Sequence, residues 1–453
     1  MERHTTCGEP GSPFGGSAAA RPVAAQADPF AFLLGMTRPG VYSTHFETPY
    51  GDTYFFNHPD FIKEILKDPS IVRTRMITRL FGNGLLASDG DHWRCQRRIM
   101  QRGIQPASLA NVSRVVQVHV DATVARWEQL SAEGRTFNVF SEMVRLTLVI
   151  VLEAFFSATI DEKLDKLSSS LGVLVEWFGD VACTQLNIPL VITPRYRERF
   201  LAALEVVDDV ALDVIRAGTT NTRREDLLQI LREAECTHGG RPLTERQLRD
   251  EFVTMMIAGH ETTAVILSWA WYLLSQHPDV EARLHAELDD VLGQELPGMR
   301  ELEKLTYTQM VVEESMRLYP PVWVIVRKTL AEKRVGDSVL PENTAVVVSP
   351  YAMHRHPDFW DNPERFDPER FAPERITAAQ RGAFLPFGAG RHLCLGKEVA
   401  MLEAKLILAG LAQRFRVRPV PGQSVAPMPA ITLRARNGIQ VGLTRRGHSS
   451  GTA

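Results

Sequence analysis

Residues 387–396 read FGAGRHLCLG, and an amphipathic helical pattern follows them directly. Gly388, Gly390 and Gly396 surround Cys394. Because glycine adopts positive φ and permits close backbone approach, this loop can curl and direct backbone N–H groups at one sulfur. The N-terminus of the following helix favours a thiolate over a thiol. A lone cysteine is usually a small buried apolar residue, but a lone thiolate in such a loop suits an axial iron ligand better than a zinc site.

The ten residues resemble the haem-binding loop F-x-x-G-x-(R/H)-x-C-x-G of the cytochrome P450 superfamily. Every specified position matches, at Phe387, Gly390, His392, Cys394 and Gly396. The resemblance implies the cytochrome P450 fold around a buried haem b, with Cys394 as the metal ligand. It also implies that Phe387, Gly388 and Gly396 belong to the cofactor-binding loop.

Two further motifs extend the resemblance to a charge cluster. Glu314 and Arg317 in EESMRLYPP form an E-x-x-R pair on one helix face, and Arg370 in FDPERF matches the family's P-E-R-F element. Taken alone, either motif would be interpreted as a solvated pair or a surface arginine. The resemblance implies instead a fully paired buried cluster that fixes the scaffold on the haem side, since unpaired buried charges are costly.

The resemblance also supplies donors for the two haem carboxylates. Trp93 and Arg97 in HWRCQRR match a W-x-x-x-R element that contacts a haem propionate in the family. Arg327 in VRKTL fits the position of a second propionate-binding arginine, and His392 is a third such donor. Charge-assisted hydrogen bonds to carboxylates are the physical reason for these residue types.

The stretch AGHETTA, Ala258–Ala264, lacks the second histidine of an H-E-x-x-H zinc motif. It resembles the A-G-x-(D/E)-T-T element of the central P450 helix. The resemblance assigns oxygen activation to Ala258, Gly259, Glu261 and Thr262. Gly259 would let the helix lie close to the porphyrin, Glu261 would supply a titratable group, and Thr262 would hydrogen-bond dioxygen and a backbone carbonyl one turn back. We assign no role to His260.

The remaining sequence predicts a mainly α protein with a smaller β-rich side. The capping box of Thr244 and Gln247 opens a helical pattern that runs to Pro278, about 33 residues, with the AGHETTA stretch at its centre. Residues 41–57 and residues 431–443 are each expected to form a β-hairpin, the second one around an Asn-Gly turn.

We expect one large domain. Residues 1–28 are predicted to be disordered or loosely attached, 29–445 to form the catalytic domain and 446–453 to form a flexible tail. With 44% apolar residues, the 453-residue chain can bury a large core. Its net charge of −3 argues against nucleic acid as a partner.

A cytoplasmic location without a membrane anchor is expected. The two most apolar runs, 146–160 and 262–274, are shorter than the roughly 20 residues that span a bilayer. The five cysteines are scattered and odd in number, so they predict a reducing compartment and no disulfide framework.

The substrate pocket is expected to be largely apolar. By resemblance it includes residues 78–90, 174–192 and 427–432, and its candidate lining residues are Met255, Met256, Trp177, Phe178, Val322 and Trp323. Such a pocket predicts a hydrophobic small molecule, with terpenoid, polyketide, fatty acid and steroid all open.

Electrons are expected from a separate ferredoxin or flavodoxin with its NAD(P)H reductase. Arg94, Arg98 and Arg102, near Lys397, would form a basic patch that steers an acidic donor, although a solvated helix face is the alternative. The protein is expected to be a monomer.

The leading hypothesis is an O2-dependent haem-thiolate monooxygenase that hydroxylates or epoxidises its substrate in bacterial secondary metabolism. A peroxide-using or isomerising haem-thiolate enzyme and a non-catalytic haem sensor are the alternatives. The H-x-H spacing of His354 and His356 could suit a metal, but we interpret it as structural.

Overall fold

The computed structural model describes residues 28–48, 51–74, 77–184, 194–217, 226–234, 242–293 and 295–446. The segments expected to be disordered or flexible, 1–28 and 446–453, lie outside this part of the chain except for their inner end residues.

Helices make up most of the described chain. They are α1 Pro29–Gly35, α2 Pro59–Lys67, α3 Thr78–Phe81, α4 Gly90–Arg102, α5 Pro106–Ala132, α6 Val139–Phe156, α7 Leu164–Thr184, α8 Pro194–Ala217, α9 Leu227–Glu233, α10 Glu245–Gln276, α11 Pro278–Leu292, α12 Thr306–Leu318, α13 Pro350–Met353, α14 Ala378–Ala383 and α15 Lys397–Ala412. None of the described helices is both long enough and apolar enough to cross a membrane.

The strands form small sheets. They are β1 Ser43–Thr48, β2 Gly51–Phe56, β3 Ile71–Arg73, β4 Phe137–Asn138, β5 Ile325–Thr329, β6 Lys333–Val335, β7 Ser338–Leu340, β8 Ala345–Val348, β9 Phe415–Pro419, β10 Pro427–Pro429, β11 Leu433–Ala435 and β12 Gln440–Arg445. The largest sheet has the order β1-β2-β8-β5-β3, and the others pair β10 with β11, β4 with β12 and β9, and β6 with β7. The predicted class, mainly α with a smaller β side, is confirmed.

The long central helix is α10. Thr244 and Gln247 form the predicted capping box, and the helix ends at Gln276, just before Pro278. Its 32 residues give a length of about 48 Å, enough to cross the domain. Most of its side chains are buried, and the buried apolar ones belong to the largest hydrophobic core, so α10 is the axis around which the helical part is packed.

The two hairpin predictions have different outcomes. The first is confirmed, because β1 and β2 pair antiparallel. The second is wrong, because β11 pairs with β10 whereas β12 pairs with β4 and β9. Gly438 does turn the chain with a φ of 70°, but Asn138 Oδ1 accepts from Ile439 N at 3.1 Å, which ties the following strand to the start of α6.

Candidate functional site

The cysteine loop owes its shape to two glycines in the left-handed region. Gly388 and Gly390 have φ values of 69° and 68°. A Cβ at Gly390 would lie 2.2 Å from the backbone oxygen of Leu66, so only glycine permits this approach to α2. Cys394 N donates to Phe387 O at 3.0 Å, which closes the loop. The predicted curl of the loop is thus present at Gly388 and Gly390, whereas Gly396 has a φ of −88° and needs no left-handed conformation.

The sulfur of Cys394 is held close to the start of α15. Gly396, the N-cap residue of this helix, donates its backbone N–H to the sulfur. Burial raises the pKa of the Cys394 thiol, while this N–H and the guanidinium of Arg97 oppose the rise. The residue still has exposed area. A residue that is deeply placed and yet has exposed area borders an internal opening, so we infer that the Cys394 sulfur faces such an opening rather than the outer surface.

The middle of α10 also borders an open space. Ala258 is exposed and Thr262 is half-buried, although residues 251–257 and 263–271 are almost all buried. The two residues are four apart and lie on one helix face. Exposed area in the middle of a buried helix indicates an internal cavity on that side. The hydroxyl of Thr262 donates to Ala258 O at 2.8 Å, as the sequence suggested.

Gly259 has a packing role that the sequence did not reveal. A Cβ at this position would lie 2.9 Å from Val151 Cγ2 on α6. The missing side chain therefore lets α10 pack closely against α6. At the same contact between α6 and α10, the hydroxyl of Thr147 donates to His260 O at 2.9 Å. His260 itself is fully buried, with Nδ1 2.7 Å from Met256 O.

Glu261 is turned away from the cavity side of α10. Its carboxylate is 1% exposed and accepts hydrogen bonds from Thr432 and Arg434. Burial alone would raise the pKa of Glu261, but the charge and hydrogen bonds of Arg434 outweigh it and hold the pKa below its ordinary value. The structure thus brings together only Ala258 and Thr262 on the open face of α10. Gly259 faces Val151 of α6, and Glu261 lies on another side.

A cluster of cations surrounds one carboxylate beside the cysteine loop. We call it the cation cluster, and it consists of Arg73, Arg97, Arg327, Arg391 and His392 around Asp89. Arg391 donates to Asp89 Oδ1 at 3.2 Å, and Asp89 Oδ2 accepts from Arg73 N, also at 3.2 Å. One carboxylate cannot neutralise four arginines, so the cluster keeps a net positive charge.

The pKa values of the cluster reflect its net positive charge. Burial and the neighbouring arginines lower the pKa of Arg73 to about 9, against the opposing charge of Asp89. Burial likewise lowers the pKa of Arg327 to about 10. For Asp89, burial would raise the pKa, but His392 and two backbone N–H groups hold it well below its usual range. The site is therefore prepared for additional negative charge.

Two donors of the cluster have no partner. Trp93 Nε1 and Arg391 Nη1 are buried without a hydrogen bond, and the nearest partner of His392 Nε2 is Asp89 Oδ1, 3.5 Å away. Trp93 and His392 pack edge to face with ring centroids 4.5 Å apart, and the Arg97 guanidinium lies 5.6 Å from the Trp93 ring. Buried polar groups are normally paired, so these donors indicate an anionic ligand with several acceptor oxygens.

The predicted buried charge cluster is present. Glu314 and Arg317 are fully buried and joined by two hydrogen bonds of 2.6 and 2.8 Å. Arg370 Nε lies 3.5 Å from Glu314 Oε1, and Arg370 donates to Asp361 O at 2.9 Å. Arg317 also donates to the carbonyls of His354, Pro363 and Arg365.

His354 links this cluster to the cysteine loop. Its Nδ1 lies 3.1 Å from Arg317 O, and its Nε2 accepts from Leu385 N at 2.8 Å. Burial and the charge of Arg317 lower the pKa of His354 to about 3, so the ring is neutral. Among the described residues no cluster of potential metal ligands occurs. These contacts support the structural interpretation of the H-x-H spacing.

The match to a family model agrees with this geometry. The model described as cytochrome P450 matches residues 46–441. The chain belongs to the cytochrome P450 family.

Its relatives include bacterial P450 enzymes. It is 35% identical over 381 residues to cyclooctat-9-en-7-ol 5-monooxygenase of Streptomyces melanosporofaciens, with 82% of each chain covered. It is 32% identical over 403 residues to pentalenene oxygenase of Streptomyces avermitilis, covering 86% of this chain and 87% of the relative. Among solved structures, the cytochrome P450DA heme domain matches with a TM-score of 0.80 at 23% identity, over 92% of this chain and 94% of that one.

The residues of the chain fit haem b, the cofactor of the P450 family. The unpartnered donors and positive excess of the cation cluster suit the two propionates, and the free thiol of Cys394 suits the iron. Trp93, Arg97, Arg327 and His392 were predicted for this role. Arg73 and Arg391 were missed, because nothing in their local sequence marks them and only the fold places them beside Asp89.

Five of the six predicted pocket residues lie in two hydrophobic cores, and the sixth, Val322, lies in neither. Met255, Met256, Trp177 and Phe178 belong to the large core, where Trp177 and Phe178 pack on Phe200 of α8 at centroid distances of 4.5 and 5.9 Å. Trp323 lies in a second core against Phe30, and its indole N–H donates to Ala430 O. Val322 is exposed. Residues 185–192 of the expected pocket lie outside the described part, and the pocket assignment stays a prediction.

The segment before α4 is fixed directly on α10. Asn83 N donates to Asp250 Oδ2 at 2.9 Å, and Leu85 N donates to Glu251 Oε2 at 3.1 Å. Burial raises the pKa of Glu251 to about 8, so this carboxyl is largely protonated at neutral pH. The segment belongs to residues 78–90, which were predicted to border the pocket.

The predicted basic patch lies on the outer face of α4. Arg94, Arg98 and Arg102 are spaced four apart and exposed, as is Lys397. Arg94 pairs with Asp91 on the same helix. One neighbour on α4, Cys95, forms a disulfide, and the scattered cysteine spacing gave no sign of this bond.

Proposed function

We propose that this P450 monooxygenase oxidises a hydrophobic substrate of the terpenoid class. The observation that carries the proposal is the combination of a free, loop-held thiol with a positively charged cluster of unpartnered donors. Haem, when bound, supplies the oxygen chemistry. The cation cluster would hold its propionates, and the N–H of Gly396 would moderate the charge on the Cys394 thiolate.

The residues of α10 would handle water and protons. Thr262 holds its hydroxyl on the cavity face, one turn from the exposed Ala258. Its oxygen can accept a proton from water and donate its own, since a hydroxyl is both donor and acceptor. We therefore propose that Thr262 Oγ1 delivers protons at this face, with Glu261 as the carboxylate that supplies them.

The substrate class is inferred from the relatives and the composition of the cavity side. The names of two relatives refer to cyclooctat-9-en-7-ol and to pentalenene, and both names denote molecules with a carbon–carbon double bond. Met255 on α10 and the aromatic residues of α7 are apolar neighbours suited to such a molecule. Hydroxylation or epoxidation of a cyclic terpenoid is thus the reaction that we propose.

The electron donor is proposed to be an acidic ferredoxin or flavodoxin that docks on the basic patch of α4. Arg98 and Arg102 are exposed on the same helix that carries Trp93 and Arg97 on its inner side. A donor bound there would lie close to the cation cluster. The cytoplasmic location and the monomeric state also remain predictions.

A reconstitution experiment tests the function. Purified protein would be supplied with haem, a ferredoxin, its reductase, NADPH, ¹⁸O2 and a panel of cyclic terpenoid alkenes. We expect one labelled oxygen per product. Product formed only with hydrogen peroxide, or oxidation of linear fatty acids in preference to terpenoids, would contradict the proposal.

Charge reversal of the patch tests the donor. Arg98→Glu and Arg102→Glu should slow reduction by ferredoxin severalfold while leaving the substrate-induced spectral shift unchanged. Arg300→Glu, outside α4, is the control. Unchanged reduction in both patch variants would show that the donor docks elsewhere.

A further inference from the structure

A cavity of about 490 Å³ lies where α3, α7 and α8 meet. We call it the outer cavity, and its lining residues are Arg79 of α3, Trp177 of α7, and Arg197, Phe200, Leu201 and Leu204 of α8. Three separate elements thus contribute to one opening. Its lining contains two cations and no acid.

The floor of the outer cavity is apolar. Trp177 and Phe200 are 5% and 2% exposed, and their ring centroids lie 4.5 Å apart. Tyr196 stacks on Trp177 with the ring centroids 4.8 Å apart. Leu201, in contrast, is 51% exposed. Packed aromatic rings beside an exposed leucine offer apolar surface to a ligand.

Three donor groups of the outer cavity have no partner. Arg79 and Arg197 are exposed, and neither makes a hydrogen bond or an ion pair within the part of the chain that the structure describes. The indole N–H of the deeply buried Trp177 also lacks a hydrogen-bond partner there. By contrast, Arg216 further along α8 pairs with Glu245. Because a buried tryptophan N–H is normally paired, this one indicates an acceptor on a ligand.

These donors suit a carboxylate at the end of an apolar molecule. A guanidinium binds a carboxylate through two parallel N–H···O bonds. Two guanidinium groups and one indole N–H can therefore satisfy both carboxylate oxygens. A carboxylate would also offset part of the positive charge of the lining, whereas a hydrocarbon would leave it unchanged.

The elements that line the outer cavity also reach the interior. Leu80, next to Arg79 on α3, is fully buried in the large core, and its carbonyl accepts from Arg249 of α10 at 2.7 Å. On α7, the carbonyl of Val175 accepts from Ile431 N at 3.3 Å. These contacts belong to the segments that the sequence predicts to border the substrate pocket. The outer cavity therefore lies at the outer end of the predicted pocket walls.

We propose that the outer cavity binds a carboxylate of the substrate, which is a cyclic terpenoid with a carboxylic acid group remote from the carbon that is oxidised. Arg79, Arg197 and the indole N–H of Trp177 hold the carboxylate, and the ring system lies between α3 and α7. This inference rests on the proposed function, which it narrows from terpenoids in general to terpenoid acids. The two arginines select among terpenoids by charge, which an apolar pocket alone does not do.

Paired ligands test the requirement for charge. The haem-loaded protein would be titrated calorimetrically with abietic acid, podocarpic acid and the methyl ester of each, and the Soret band would be followed in parallel. We expect at least one acid to bind about fivefold or more tighter than its ester. This preference should shrink as the salt concentration rises, and the bound acid should shift the Soret band towards the high-spin form.

A diphosphate separates the two sources of an anionic group. Geranylgeranyl diphosphate carries a terpenoid chain and several negative charges, which two arginines cannot offset. Because the uncompensated charge would have to leave water, we expect this probe to bind more weakly than the preferred acid.

Substitutions test the assignment to residues. Arg79→Gln and Arg197→Gln should each weaken acid binding about fivefold and leave ester binding unchanged, and Arg197→Lys should restore part of the affinity. Trp177→Phe, which keeps an aromatic ring and removes the N–H, should also weaken binding of the acid alone. Arg195→Gln is the matched control, because Arg195 is equally exposed on α8 but points about 200° around the helix from Arg197.

Four results would overturn the inference: no preference of the parent protein for either acid over its ester, tighter binding of the diphosphate than of both acids, equal losses of acid affinity in Arg195→Gln and Arg197→Gln, or acid binding that leaves the Soret band unmoved. None of these readings depends on turnover. The proposed function fails instead if the reconstituted enzyme oxidises no terpenoid, neutral or acidic, so the two failures are distinguishable.

Discussion

Glu403 offers a quantitative test of how α15 is packed on α10. This carboxyl is 2% exposed, it accepts a hydrogen bond from Thr263 on α10, and its Oε1 has no partner. Burial raises its pKa from 4.5 to about 8. The folded protein therefore keeps a proton on Glu403 over a range in which the unfolded chain releases it.

The sign of the effect follows directly. Because the folded pKa is the higher one, the stabilisation is complete below about pH 4.5 and is lost as pH rises to about 8. Within this window, each rise of one pH unit lowers the free energy of unfolding of the parent protein by about 1.4 kcal/mol. Glu403→Gln has nearly the same shape and cannot ionise, so the variant should gain about 3 kcal/mol relative to the parent between pH ~5.5 and ~7.5.

Guanidinium unfolding followed by tryptophan fluorescence would measure this difference at several pH values. Glu398→Gln, at an exposed position on the same helix, is the control and should show no pH-dependent change relative to the parent. If the stability difference between Glu403→Gln and the parent were the same at pH ~5.5 and ~7.5, the claim that Glu403 is protonated in the folded protein would be wrong.

Three further predictions concern the site. Thr262→Ala should retain haem but divert electrons into peroxide, measured as peroxide per NADPH, and an unchanged product yield would contradict its proton role. Gly390→Ala should abolish haem incorporation, because its Cβ would meet a backbone oxygen of α2. In the control Gly388→Ala the Cβ meets no atom, so this variant should carry only the ~1–2 kcal/mol strain of positive φ. Equal haem content in the two variants would count against the contact between Gly390 and α2. Arg73→Gln should release haem to apomyoglobin severalfold faster than the parent, while the exposed Arg79→Gln should not; equal rates in both would remove Arg73 from the propionate site.

Motifs whose chemistry is local were predictable from the sequence. The loop around Cys394 carries its glycines beside the sulfur, and the capping box of Thr244 and Gln247 marks the start of α10. Glu314 and Arg317 lie on one turn, so their pairing follows from helix geometry.

Contacts between distant segments were not predictable in the same way. Arg434 is 173 residues from Glu261, and no pattern near either residue indicates that they meet. The Asn-Gly turn at residues 437–438 is a correct local signal, but strand pairing is decided by the surface that each strand meets. For β12 that surface is β9 and not β11. The disulfide of Cys95 is likewise a consequence of the fold.

The central claim is that Cys394 is the haem ligand on the proximal side of the site. The ferrous–carbon monoxide difference spectrum of the reconstituted protein tests it most directly, with Cys394→His as the matched variant. The account predicts the red-shifted band of a thiolate-ligated haem in the parent and its loss in the variant with haem retained. A parent spectrum like that of a histidine-ligated haem, or an unchanged band in Cys394→His, would contradict it.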